Sequence, residues 1–298
     1  MTYKKTSRIE TKSSRTAAFT CLSRASSYAD KRECYQGTDG IAYMLVPAFF
    51  KLLLKSRWLF RLFSRRYFPN GIYEYVIART KYFDAAFQEA LEQCFDQILI
   101  FGAGFDSRAL RFSKLNKGTR IFELDAPVTQ REKLKAFKAK KLAVPANLTF
   151  VLIDFNKESL AEKTAQAGFI AGRKSLFILE GVTMYLSREA IDNTFRFVSD
   201  VAGQGSIIIF DYIHGSVLRK EKRYYGEENI YKTVAQAGEE WTFAIEEGET
   251  ELFLTRYGFL KKGLSGSLEL GERYFRNSKG IPVGKINGTH AIVTGIKK

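Results

Sequence analysis

Four acidic residues, Asp125, Asp154, Glu180 and Asp211, each follow directly on or lie within a residue or two of a short apolar run. In open α/β sheets a ligand sits in the crevice beyond the carboxyl ends of the strands. A row of carboxylates there suits a ligand that carries hydroxyls, amines and a positive centre. Upstream of the row, Gly102, Ala103 and Gly104 follow the apolar run 97–101. Two glycines so spaced let the chain turn sharply and let backbone approach a ligand. The third glycine of a dinucleotide fingerprint is absent, since Ser107 stands in its place, and no Lys-Ser/Thr pair of a phosphate loop follows. A pyrophosphate cradle is therefore disfavoured. Asp125 falls roughly twenty residues beyond the turn, where a carboxylate can accept from a ribose diol. Glu123 faces the same side of the strand two residues earlier, and Asp125 is preferred of the two.

These residues need elements to carry them. Apolar runs at 97–101, 120–124, 149–153, 175–179 and 206–210 alternate with helical patterns at 108–115, 128–141 and 188–202. That pattern predicts a parallel sheet covered on both faces, with two later strands near 259–264 and 290–296. A helix over 72–95 precedes the first strand, and a weaker one covers 16–28. Between them, residues 41–68 mix Leu, Phe and Trp58 with Lys51, Lys55, Arg57, Arg61, Arg65 and Arg66. The i, i+4 spacing of Lys51 with Lys55, and of Arg61 with Arg65, predicts a basic amphipathic helix or helix pair. Pro69, Asn70 and Gly71 then break the pattern. The chain divides into a basic helical extension, 1–70, and a larger domain, 71–298.

Composition bounds the remainder. With 298 residues, 45% of them hydrophobic, the chain can fill one large core. Cys21, Cys34 and Cys94 are scattered and form no CxxC pair, so neither a disulfide framework nor a zinc site is expected and a reducing cytoplasm is. His214 and His290 are the only histidines, so no metal is expected either. No secretory leader is expected. The longest apolar run, 41–50, is far short of the ~20 residues of a membrane span. Residues 1–70 hold fourteen Lys/Arg against four Asp/Glu, so most of the net charge of +15 lies there. Such a segment is either a solvated face or an attractor for nucleic acid, anionic lipid or an acidic partner.

Four ordered segments resemble the leucine carboxyl methyltransferase superfamily, in particular its bacterial branch of small-molecule O-methyltransferases. They are ARTKYFD at 78–84, FGAGFDSR at 101–108, FELDAP at 122–127 and LEGVTMYL at 179–186. The resemblance implies a class I methyltransferase (Rossmann-like) fold: a seven-stranded sheet, its seventh strand antiparallel, helices on both faces and an N-terminal helical lid. It implies S-adenosyl-L-methionine as cofactor and S-adenosyl-L-homocysteine as product. In that reading Arg79 pairs with the methionyl carboxylate, Gly102 and Gly104 lie against the methionyl part, and Asp125 holds the ribose. Asp154 and Phe155 meet the adenine, and Glu180 sits near the methionyl amine. Ser107, where Thr is common, and Phe155, where Leu is common, are departures. The implied acceptor is a small-molecule hydroxyl or carboxylate, polyketide-like or another secondary metabolite. The alternatives are the carboxyl terminus of a protein or peptide and, more weakly, a nucleic-acid or membrane-surface role for the basic N-terminal segment. No RNA-reading motif is visible, and acids in the main cleft argue against phosphate. A hydroxyl acceptor would call for a base. His214, three residues past Asp211, is the candidate, with a loop role as the alternative; Tyr185 is a candidate catalytic hydroxyl or a pocket wall.

Overall fold

The structure, a computed structural model, describes residues 15–55, 68, 70–155, 157–237 and 240–298. Three helices come first: α1 (Arg15–Ala29), α2 (Gly40–Leu45) and α3 (Ala48–Lys55). Helix α4 (Ile72–Glu92) leads into β1 (Gln97–Phe101), α5 (Arg108–Arg111), β2 (Arg120–Asp125), α6 (Pro127–Ala139), β3 (Leu148–Leu152) and α7 (Leu160–Gln166). Then come β4 (Ser175–Leu179), α8 (Arg188–Val201), β5 (Ile207–Ile213), α9 (Gly215–Leu218), α10 (Glu227–Ala237), α11 (Thr250–Arg256), β6 (Phe259–Ser265), α12 (Ser267–Tyr274) and β7 (His290–Lys297).

The seven strands form one sheet in the order β3-β2-β1-β4-β5-β7-β6. Strands β1 to β5 pair in parallel, and β7 runs antiparallel between β5 and β6. The expected fold class is thus the observed one. Because side chains alternate along a strand, β1 sends Ile98 and Ile100 to one face and Leu99 and Phe101 to the other, and all four are buried. The first face packs on α4 through Phe83 and Phe87. The second packs on α8, whose Ile191, Phe195 and Val198 recur at helical spacing on one side. Ser187 caps α8 by accepting from the Ala190 N–H at 3.1 Å, and the Phe195 ring meets Phe210 of β5 edge-on at 5.0 Å.

Several boundaries differ from those read in the sequence. Strand β5 runs three residues past Phe210, because β7 pairs with it as far as Ile213 opposite His290. Asp211 is therefore inside the strand rather than beyond its end. The expected helix 108–115 splits into α5 and a 3-10 turn, Ser113–Leu115. Helix α4 stops at Glu92, and Cys94 just after it has φ 52°. The boundary at Gly71 has a steric cause: with φ 76°, a Cβ there would lie 2.4 Å from the Asn287 nitrogen. Of the basic stretch 41–68, α2 and α3 are seen, and Lys51 donates to the Met44 carbonyl at 3.0 Å. Trp58, Arg57, Arg61, Arg65 and Arg66 lie outside the described residues, as does the Lys55 side chain. Helix α1 packs against α2 through Cys21, Ala25, Ala42 and Val46, and with Phe105 joins this layer to the turn after β1.

Candidate functional site

A cavity of about 390 Å³ opens at the carboxyl ends of β1 to β4. Its floor is the turn after β1. Gly102 and Gly104 have φ of 60° and 52°, a region that side-chain-bearing residues rarely adopt. A Cβ on Gly102 would also come within 2.5 Å of Val182 Cγ2. The turn is held by Asp125, whose two carboxylate oxygens accept from the Gly104 and Ala126 N–H groups at 2.5 and 2.6 Å. Burial pushes the Asp125 carboxyl up, against the pull of these two donors. Each oxygen keeps a lone pair for a ligand. Glu123 does not share the cavity wall. It is buried beneath, its carboxylate accepting from Lys133 of α6 at 2.5 Å, and burial raises it to about 7 against the pull of that lysine. Asp154 and the half-buried Phe155 line the cavity beyond Asp125. Asp154 pairs with Lys157 at 3.3 Å.

The other end of the cavity is ionic. Arg79, 6% exposed, donates from Nε to Glu180 at 3.1 Å and from Nη1 to Asp211 at 2.9 Å. Asp211 also accepts from the Tyr75 hydroxyl at 2.9 Å and the Gly181 N–H at 2.6 Å. The second oxygen of Glu180 accepts from Arg108 at 2.6 Å, and Arg108 in turn reaches Asp84 at 2.8 Å and Asp106 at 2.5 Å. Arg111 joins Asp84 to Asp39, and Arg24 of α1 faces Asp39 at 3.4 Å. One continuous chain of ion pairs thus runs from Asp211 to Arg24. It contains Arg24, Arg79, Arg108 and Arg111 against Asp39, Asp84, Asp106, Glu180 and Asp211, a formal charge of −1. Burial opposes ionisation of Asp106, but Arg108, Lys133 and Arg24 outweigh it and hold the carboxyl at about 2. Burial likewise works against the Arg79 cation, and Asp211 and Glu180 keep it charged. A buried ionic array adds little stability over well-packed apolar side chains. Four of its members, Arg24, Arg79, Asp106 and Glu180, line the cavity wall.

Helix α1 roofs the cavity with Thr16, Ala17, Thr20 and Arg24. A Cβ on Gly104 would stand 3.1 Å from the Ala17 methyl, so the helix lies close over the turn.

Of the residues expected from sequence, Arg79, Gly102, Gly104, Asp125, Asp154, Phe155, Glu180 and Tyr185 all line this one cavity. The Tyr185 hydroxyl lies 3.4 Å from Thr16 Oγ1. His214 is not brought there. Its ring stacks on Tyr224 at 4.7 Å, at the start of α9, because β5 continues to Ile213 and carries the next residue past the cavity. Burial lowers the His214 pKa. His290 is buried in β7 against Tyr75, with ring centroids 4.6 Å apart. Sequence reasoning missed Arg24, Asp84, Asp106 and Arg108. The last three lie inside the segments 78–84 and 101–108, whose charged residues were the available signal.

Comparisons with known proteins bear on the family and the fold. The sequence profile of the leucine carboxyl methyltransferase family matches residues 38–199. A Bacillus subtilis protein, YktD, named by inference as an S-adenosyl-L-methionine-dependent methyltransferase, is 30% identical over 207 residues, 68% of this chain and 66% of its own. A similarly named Mycobacteroides abscessus protein is 34% identical over 134 residues, 44% and 43% of the two chains. The matches therefore span just under two thirds of YktD and less than half of the mycobacterial relative. Among solved structures, an inferred methyltransferase from Thermobifida fusca superposes with a TM-score of 0.61 at 15% identity, over 95% of this chain and 98% of that one. A DUF574-family protein from Streptomyces avermitilis gives 0.59 at 14%, over 98% and 100%. These two bear on the fold alone. With its profile matched over more than half of the sequence, the chain belongs to the leucine carboxyl methyltransferase family.

Proposed function

We propose that the protein transfers a methyl group from S-adenosyl-L-methionine to an oxygen of a small molecule, a hydroxyl or a carboxylate. The observation that carries this reading is the polarity of the cavity. A diol-accepting carboxylate, Asp125, stands at one end, and at the other a buried ion-pair chain of net charge −1 reaches the cavity wall through Arg79 and Glu180. A ligand with a ribose, an α-amino acid and a net charge of +1 matches that sequence of groups. The glycine turn fits it too, since Gly102 and Gly104 line the cavity with bare backbone. Arg79 would hold the carboxylate, Glu180 the ammonium, Asp125 the ribose, and Asp154 with Phe155 the adenine. The relatives' names carry the same cofactor.

When bound, the sulfonium supplies an electrophilic methyl and a neutral leaving group. What remains for the chain is alignment and exclusion of water, and proximity carries much of such a rate. Helix α1 provides the roof and the ion-pair chain a rigid end wall. A carboxylate acceptor, with a pKa near 4, is already ionised, whereas a phenol near 10 calls for a base. No histidine is among the described residues lining the cavity. A second reading, a peptide carboxyl terminus, draws support from the basic excess in residues 1–70, which would attract an acidic tail.

Calorimetric titration with S-adenosyl-L-homocysteine tests the cofactor. Binding is expected, weakened about tenfold or more by Asp125→Ala. No heat at ~1 mM ligand, well above the micromolar range, would sink the proposal. Labelled methyl offered with a small-molecule extract or with a proteome then separates the two acceptor readings.

A further inference from the structure

Helix α3 adds no residue to the lining of the cavity. Its Phe50 packs, half-buried, on the cluster that α1 and α2 share. The neighbouring side chains turn away. Phe49 is 68% exposed and Leu52 67%. Three residues apart, they share one face of the helix. Met44, near the end of α2, is 38% exposed, and Lys51 of α3 ties the two helices together by donating to its carbonyl at 3.0 Å. Four large hydrophobic side chains among the described residues are more than 60% exposed, and Phe49 and Leu52 are two of them. A lone exposed leucine is ordinary, but apolar side chains gathered on one surface mark an interaction site.

The surroundings are cationic. Lys51 stands between Phe49 and Leu52 in sequence, with its ammonium 5.4 Å from the Tyr43 ring. Burial lowers its pKa, and Lys140, nearby at the end of α6, lowers it further. Lys135, Lys138, Lys140 and Lys141 are all exposed, and among the described residues none of them pairs with a carboxylate. Cations clustered without an acid between them attract an anionic partner. That partner must also cover the apolar face. Nucleic acid would meet the lysines through its phosphates and leave Phe49 and Leu52 in water. The boundary of an anionic bilayer takes both kinds of side chain at once.

We propose that α3, with the end of α6 beside it, docks the protein on an anionic membrane surface, Phe49 and Leu52 entering the lipid and the lysines meeting its phosphates. This is attachment to the surface, since no helix among the described residues is long and apolar enough to cross. Because α1 both supports this layer and roofs the cavity, docking turns the roof side toward the lipid. The inference does not depend on the cofactor or acceptor readings.

Flotation of the full chain with lipid vesicles tests it. Vesicles of phosphatidylcholine alone are compared with vesicles of equal parts phosphatidylcholine and phosphatidylglycerol, at low and high salt, and a DNA duplex serves as the rival anion. The parent is expected to float with the mixed vesicles, not with phosphatidylcholine alone, and to be released as salt rises. Phe49→Ser combined with Leu52→Ser should weaken binding about 10- to 100-fold. Lys138→Glu combined with Lys140→Glu should weaken it about tenfold or more. All four side chains are exposed, so both double variants should keep the parent's midpoint of thermal unfolding, and a loss of flotation then reads docking rather than folding. A parent that floats with neither vesicle overturns the proposal. So does binding that survives F49S with L52S, for the contact is then purely electrostatic, and so does a parent that binds DNA but no lipid.

Discussion

Replacing Glu180 by Gln tests the charge balance of the site. Glu180 bridges Arg79 at 3.1 Å and Arg108 at 2.6 Å, with its side chain 11% exposed. Removing one partner of a buried pair costs roughly 3–5 kcal/mol when the other is left stranded. Neither arginine is stranded here, because Arg79 keeps Asp211 and Arg108 keeps Asp84 and Asp106. The amide oxygen also still accepts one bond. A loss of about 2 kcal/mol follows, and at ~2–4 °C per kcal/mol for a large domain the midpoint of thermal unfolding should fall by about 4–8 °C. Ligand binding changes in a more telling way. The ion-pair chain goes from −1 to neutral. Two unit charges about 6 Å apart at an effective dielectric of ~20 interact by about 3 kcal/mol. S-adenosyl-L-methionine carries one more positive charge than S-adenosyl-L-homocysteine, so E180Q should weaken the first more, raising the ratio of their dissociation constants about tenfold or more. Calorimetry of both ligands on parent and variant gives that ratio directly. An unchanged ratio would refute the reasoning that the buried charge selects the sulfonium, even if both affinities dropped.

Three further outcomes are expected. Gly102→Ala must hold a Cβ at φ 60° and within 2.5 Å of Val182; it should cost about 1–3 kcal/mol and abolish S-adenosyl-L-homocysteine binding, and retention of both would show that the turn can relax. Asp106 is held at about 2, below its ordinary value near 4, so it contributes stability that is present above pH ~4 and lost as pH falls through 2. Acid unfolding of Asp106→Asn followed between pH ~5 and ~2 should therefore slope less steeply than that of the parent, and parallel curves would contradict the pairing with Arg108. His214→Ala should leave S-adenosyl-L-homocysteine affinity unchanged and kcat on a working acceptor within about 3-fold; a loss of 10² or more, the scale of a general base, would place the ring in the reaction after all.

Much of the scaffold was legible in the residues. Strands β1 and β4 match the apolar runs 97–101 and 175–179 residue for residue. Both are central and buried on both faces, so the hydrophobic run and the strand share their limits. The glycine turn, and the acids at the carboxyl ends of β2, β3 and β4, were readable for a related reason: strand, turn and carboxyl end are adjacent in sequence. Where a partner from far along the chain decides, the sequence was silent. β5 reaches Ile213 only because β7 pairs with it, and that extension carried His214 away from the cavity. Asp211 looked like another ligand acid, and it is instead a buried anchor for Arg79, Tyr75 and Gly181. Glu123 and Asp125 lie on the same side of one strand, yet Lys133 from α6 claims the first and the turn claims the second. Periodicity is local and survives in a list of residues. Charge pairing acts through space, between side chains as distant in sequence as Arg79 and Glu180, and the ion-pair chain from Asp211 to Arg24 exists only once the fold has closed around it.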